Sequence, residues 1–179
     1  MSNSSRLTRR DWLVAGVQVL ASDGPGALRA EPMSRRMNTT KGSFYWHFKD
    51  VPDFHAALLA QWSDGALAAL DSAQDAAAPA AAQLRGVCQS VAMLAARGAG
   101  AAVRAWAHDS AAARAALARF DAHCHARLVE LLADTGITNP EMARILHAAA
   151  IGMPQLPGED GAVEDAIGSL VDLVLALRD

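Results

Sequence analysis

One eleven-residue run holds most of the polar chemistry of this 179-residue chain: Thr39-Thr40-Lys41-Gly42-Ser43-Phe44-Tyr45-Trp46-His47-Phe48-Lys49. It packs three hydroxyl residues, two ammonium groups, an imidazole, a phenol and an indole into a few helical turns. A buried core helix would leave the polar tips of Tyr45, Trp46 and His47 in need of partners. A surface that touches nucleic acid uses them: cations and hydroxyls meet phosphate oxygens, and rings pack on the sugar–phosphate edge. The opening residues Thr39, Thr40 and Lys41 stand where a recognition helix presents its first turn to a groove. The candidate DNA-contacting residues are therefore Arg35, Arg36, Thr39, Thr40, Lys41, Ser43, Tyr45, Trp46, His47 and Lys49. Phe44 and Phe48, at i and i+4, are instead expected to close a core.

Two other groups invite chemistry. His108, His123, Cys124, His125 and His147 are metal-ligating types. Residues 123–125, however, fan out by about 100° each around a helix and do not converge on one ion, so no metal site and no cofactor are expected. Trp62, Met93, Trp106, Phe120 and Met153 are bulky side chains among many alanines. They serve either as ordinary core or as the wall of a cavity where helices diverge. Trp62, Met93, Trp106 and Phe120, with His123, are the candidate ligand-pocket residues. No GxSxG, P-loop, GxGxxG or HExxH pattern supplies catalytic machinery.

The elements that must position these residues are all helical. Alanine is abundant, aromatics make up 5%, and strand-like alternation is missing. Thr8 with Asp11 forms a capping box opening a helix over about 9–22, with Leu13, Val17, Leu20 and Ala21 as its apolar stripe and Trp12 beside it. Gly24-Pro25 ends it. A second helix covers about 30–37, Met33 and Met37 facing inward. Asn38 stands where the tight turn wants a left-handed residue. Thr40 caps a third helix through about His47, and Asp50 caps a fourth, to about Ser72, with Pro52 in its first turn. Further helices are expected at about 81–97, 101–108, 110–134, 140–153 and 162–178. Gly98-Ala99-Gly100 should separate the first pair, and Gly136 should stop the long helix. Asn139-Pro140-Glu141 combines cap, proline and acid. Pro154, Pro157 and Gly158 precede the last helix.

Charge divides along the same line. Residues 1–50 carry eight Lys+Arg against four Asp+Glu, a net +4. Residues 51–179 carry eight against fifteen, a net −7. A basic head on an acidic body suits a local attraction to phosphate. Cys88 and Cys124 have no CxxC spacing and are expected to be free thiols. The first residues, Met1 to Arg6, lack a signal-like apolar stretch. No window approaches the ~20 apolar residues of a membrane span, so a soluble cytoplasmic protein without membrane contact is expected.

The first fifty or so residues resemble the TetR family of bacterial transcriptional repressors. The resemblance lies in the 9–22 and 30–37 helices, the Asn38 turn, and Thr40 through Asp50. The remainder is similar more loosely, in helix number and in Arg104-Ala105-Trp106-Ala107 followed by a long helix and the Gly136 turn. The resemblance implies that Lys41, Ser43 and Tyr45 face bases or adjacent phosphates, while Thr40, Trp46, His47 and Lys49 hold the backbone. There are departures: Asn38 replaces a common Gly, Thr39 a common apolar residue, and Val51 a basic phosphate contact.

The expected architecture is all-α, with a helix-turn-helix DNA-binding head over 1–50 and a helical effector-binding and dimerisation body over 51–179. The expected function is a repressor that binds a palindromic double-stranded operator as a homodimer and is released by a small-molecule effector of unknown identity. The expected dimer surface joins Ile145, Leu146, Ala149 and Gly152 to Ile167, Leu170, Val171, Val174 and Leu175. The alternatives are a constitutive DNA binder without a ligand, and a helical metal-binding protein or enzyme using the His/Cys group.

Overall fold

The computed structural model describes residues 7–157 and 161–176. The expectations about Met1 to Arg6, Gly158 and the final turn to residue 178 fall outside them. Among the described residues the chain is all-α, with nine α-helices and no strand.

Three helices form the head: α1 (Arg9–Asp23), α2 (Ala30–Arg36) and α3 (Lys41–His47). The Thr8–Asp11 capping box is complete. The Thr8 amide donates to Asp11 Oδ2 at 2.7 Å, and Asp11 N–H donates to Thr8 Oγ1 at 3.3 Å. The Thr8 amide, with the Thr8 hydroxyl donating to the same Oδ2 at 2.7 Å, holds the Asp11 carboxyl pKa below its ordinary value. The buried face of α1 is Trp12, Leu13, Gly16, Val19 and Leu20. This corrects the expected stripe, because Ala21 is exposed and Trp12 is wholly inside. Gly16 is required by packing: a Cβ there would lie 2.5 Å from Leu58 Cδ1, so α1 crosses the helix over Val51–Ser72 at van der Waals distance. A 3₁₀ turn over Pro25–Ala27, unforeseen in the sequence, follows Gly24. Asn38 adopts φ +49° between α2 and α3, the left-handed geometry asparagine tolerates best after glycine.

Helices of seven residues are too short to hold themselves in water, so α2 and α3 depend on what they bury. Phe44 packs edge-on to Trp12 (5.5 Å) and Phe54 (5.3 Å), and Phe48 lies 4.9 Å from Phe54. Phe54 belongs to α4 (Val51–Ser72), which begins at an Asp50 cap accepting from Asp53 N–H at 2.8 Å. Each fully buried ring contributes roughly 1.5–3 kcal/mol.

The body comprises α4, α5 (Ala80–Ala96), α6 (Gly98–Trp106), α7 (Ala111–Asp134), α8 (Pro140–Gly152) and α9 (Ala162–Leu175). α5 is its centre, packing on α6, α7, α8 and α9, while α1 lies along α6 and α4 and so ties head to body. The expected Gly98–Gly100 linker is in fact the first turn of α6. The break is the single residue Arg97, extended at φ −157°, across which α5 and α6 bend by 68°. Gly100 permits the corner, since a Cβ there would fall 2.2 Å from the Leu94 carbonyl oxygen.

The apolar stripe of α9 has the expected residues, but its assignment to a dimer surface is corrected. Ile167, Val171, Val174 and Leu175 are buried within the chain, where α9 packs against α5 and α8. Leu146 is likewise buried, while Ile145 (46% exposed) and Leu173 (62% exposed) face outward. No single described helix is long and apolar enough to cross a membrane. Only the bent α5–α6 pair reaches that length and composition, and its Leu84, Val87, Val91 and Val103 lie in the core.

Candidate nucleic-acid interface

Helix α3 sorts its residues by face. Phe44 is buried, and Phe48, just past its end, is buried too, while Tyr45 is half exposed and Trp46 is 80% exposed. An indole held almost entirely in water is costly unless something covers it. Lys41 and Tyr45 share one face at i, i+4 spacing, and both Lys41 and Gly42 are exposed. A Cβ on Gly42 would meet only Thr40 Oγ1, at 3.7 Å, which leaves the outer surface of the first turn flat. Thr40 Oγ1 accepts from Ser43 N–H at 3.3 Å. Its hydroxyl proton therefore remains available, and Ser43 is half buried beside it.

Lys41 and Lys49 are the only lysines in the sequence, and they flank this helix. Among the described residues neither makes an ion pair. The Lys49 amide donates to Asp53 Oδ2 at 3.0 Å, fixing its backbone while the ammonium stays free. Arg35 and Arg36 are instead paired, with Glu31 at 3.4 Å and Asp23 at 3.0 Å. Exposed pairs of this kind contribute about 0–1 kcal/mol, so a phosphate could recruit either guanidinium. Thr39 is half buried and donates its amide to the Ser34 carbonyl at 2.9 Å. His47 is half buried, and its carbonyl accepts from Arg9 Nε at 3.4 Å. Arg9 also lies 4.9 Å from the Phe48 ring centroid and 3.8 Å from Asp53, so one side chain ties α1 to the end of α3 and the start of α4.

Sequence reasoning missed His55. It links head to body: Nε2 is 2.8 Å from the Leu28 carbonyl oxygen, and the ring meets Trp106 of α6 edge-on at 5.0 Å. No spacing in the sequence signals it, because both contacts are tertiary.

The five candidate pocket residues do not share one cavity. Trp62 and Met93 border a 670 Å³ groove between α1, α4 and the α5–α6 corner. Phe120 is buried in the core, 5.8 Å from the Trp62 ring. Trp106 sits on His55. His123 borders a separate polar cavity, with Nε2 3.5 Å from Asp71.

Of the His/Cys group, His125 and His147 stack with ring centroids 6.2 Å apart, but among the described residues no three ligating side chains converge as a metal site. His147 instead belongs to a buried polar cluster. Arg104 donates to both oxygens of Asp121, at 2.8 and 3.1 Å, and His147 Nε2 lies 3.8 Å from Asp121 without a hydrogen bond. Burial pushes the His147 pKa down, against the pull of Asp121. Burial also pushes the Cys88 and Cys124 thiols up to about 12.

No family model matches the chain, and no curated protein sequence matches it. Solved structures do. A TetR-family transcriptional regulator from Streptomyces coelicolor superposes with a TM-score of 0.74 at 19% identity, over 94% of this chain and 88% of that one. A TetR-family regulator from a Rhodococcus species gives 0.72 at 18%, over 93% and 98%. A regulator of the TetR/AcrR family from Thermobifida fusca gives 0.64 at 17%, over 96% and 98%. At these identities the likeness establishes the fold: the chain has the all-α fold of TetR-family regulators.

Proposed function

We propose that this chain is a DNA-binding transcriptional repressor acting as a homodimer and released by a small-molecule effector. Residues 1–50 would form the reading head, and residues 51–179 the effector-binding and dimerisation body. The observation that carries the reading is the outer face of α3. Trp46 and Tyr45 stand in water between two unpaired lysines, on a helix whose other face is locked into an aromatic core. Lys41, Ser43 and Tyr45 would meet base edges or neighbouring phosphates, and Thr40, Trp46, His47 and Lys49 the backbone.

One head covers one half-site, so tight binding calls for two copies with their α3 helices about 34–36 Å apart. The exposed apolar face of α8 and α9, carrying Ile145 and Leu173, is the surface that supports a two-fold pairing. An effector lodged in the body would act through α4 and α6. His55, held to Leu28 of the head and set edge-on against Trp106 of the body, is the contact any such movement must strain.

The test is a mobility-shift and footprinting experiment on the DNA upstream of the chain's own gene, with sedimentation of the free protein. Protection of two half-sites on one face of the duplex by a dimer supports the reading. Salt-insensitive or absent DNA binding by a folded protein overturns it.

A further inference from the structure

The groove between α1, α4 and the α5–α6 corner has the character of a built site. Its 670 Å³ volume lies within the range of small-molecule pockets. Its wall is mainly apolar, with Trp62 and Ala66 from α4, Val14 and Val17 from α1, and Met93 and Leu94 from α5, and it carries two neutral polar side chains, Gln18 and Gln61. Two of the apolar residues, Val14 and Met93, are 44% and 57% exposed, so large apolar side chains line a space that is open among the described residues. Arg97 is the single charged residue on the wall. Among the described residues no carboxylate lies within ion-pairing distance of it.

Gly65 borders the groove from the interior of the 22-residue α4, where glycine is less stable than nearly any other residue. A Cβ built there has no atom within 4 Å, so a larger side chain at this position can enter the groove without a clash at its root. We propose that this groove binds an apolar monocarboxylate, with the hydrocarbon or ring system on Trp62, Val17 and Leu94 and the carboxylate on the Arg97 guanidinium. That planar fork matches a carboxylate with two parallel hydrogen bonds. The bound molecule touches α1, α4 and the α5–α6 corner together, so it bears on the seam between head and body. That last consequence rests on the effector reading above; the binding itself does not.

The experiment is calorimetry on the full chain with decanoate and 1-naphthylacetate, and with decanamide as the uncharged counterpart of decanoate. One carboxylate should bind per chain, decanoate at least about tenfold more tightly than decanamide. Arg97→Gln should bring the two to similar affinity. Gly65→Phe should abolish binding while melting at or above the wild-type temperature, since it fills open space and improves the helix; Ala69→Phe, on the same wall, replaces it if Gly65→Phe does not fold. The proposal is overturned if neither carboxylate binds, if decanoate and decanamide bind equally to the wild type, or if the filled variants bind as the wild type does. A DNA-binding assay with decanoate separates the two readings. Binding in the groove without loss of DNA affinity leaves the site standing and removes the effector reading.

Discussion

Head and body solve the packing problem in opposite ways. The head locks short helices with large rings, Trp12, Phe44 and Phe48 meeting one another and Phe54 of α4 at 4.9–5.5 Å. The body is made of long helices rich in alanine, with Trp62 and Phe120 as its one tightly buried aromatic pair, 5.8 Å apart. Alanine lets helices approach closely and favours helix, but it fills little volume where they splay, and the 670 Å³ groove lies where α4 and the α5–α6 corner splay from α1. The contrast suits the proposed function, in which a rigid head meets a duplex and a looser frame takes a ligand.

The sharpest way to break this comparison is to remove a ring from the head. Phe44→Ala should cost about 3–5 kcal/mol, which rivals the whole stability of a small domain. DNA binding should vanish, while circular dichroism loses only the helicity of the head and the body keeps its own thermal transition. Simultaneous unfolding of the body would show that the two regions form one cooperative unit.

Next in size are two substitutions on α9, two residues apart. Val171 is wholly buried and Leu173 is 62% exposed. Val171→Asp places an unpaired charge in the body's core and should destabilise it by several kcal/mol. Leu173→Asp should leave the melting temperature within a few degrees of wild type yet sediment as a monomer. A dimeric Leu173→Asp would move the interface away from the α8–α9 face.

Smaller effects separate the two lysines of the head. Lys49→Ala should weaken binding alike on all sequences and lower the salt slope by roughly one unit per half-site. Lys41→Ala should also change which operator variants are preferred. A changed base preference in Lys49→Ala at unaltered salt slope would reverse these roles.

The smallest effect belongs to the body's buried cluster. Burial lowers the His147 pKa from its ordinary 6.5. The unfolded chain therefore binds a proton at this site as pH falls through 6.5, and the folded chain does so only at lower pH. Stability should decline on acidification below about pH 6.5. Urea titrations at pH 7 and 5.5 should show this decline reduced in His147→Gln. An unchanged decline would place the responsible group elsewhere.

Much of this was legible in the sequence because it is local. Thr8, Thr40, Asp50 and Asn139 cap the helices they precede, and Asn38 and Gly136 take positive φ at the turns their types suggest. What escaped is tertiary. The apolar period of α9 groups Val171 with Ile167, Val174 and Leu175 and leaves Leu173 outside, but it cannot say that α5 and α8 of the same chain, rather than a second copy, pack against α9. Nor does any pattern announce that His55 would meet both Leu28 and Trp106, or that Arg97 alone would make a 68° corner. The candidate pocket residues illustrate the same limit. Large side chains in an alanine-rich chain are conspicuous, yet their convergence depends on helix crossings that periodicity does not encode.

The central claim, that the outer face of α3 reads duplex DNA, is tested most directly by selecting binding sites from a random double-stranded library with the wild type and with Ser43→Ala and Lys41→Ala. The wild type should enrich a two-fold symmetric sequence, and each variant should shift preference at the same position in both half-sites, by about 1–3 kcal/mol per position. Enrichment of no sequence by the folded wild type, or identical preferences in all three proteins, would contradict it.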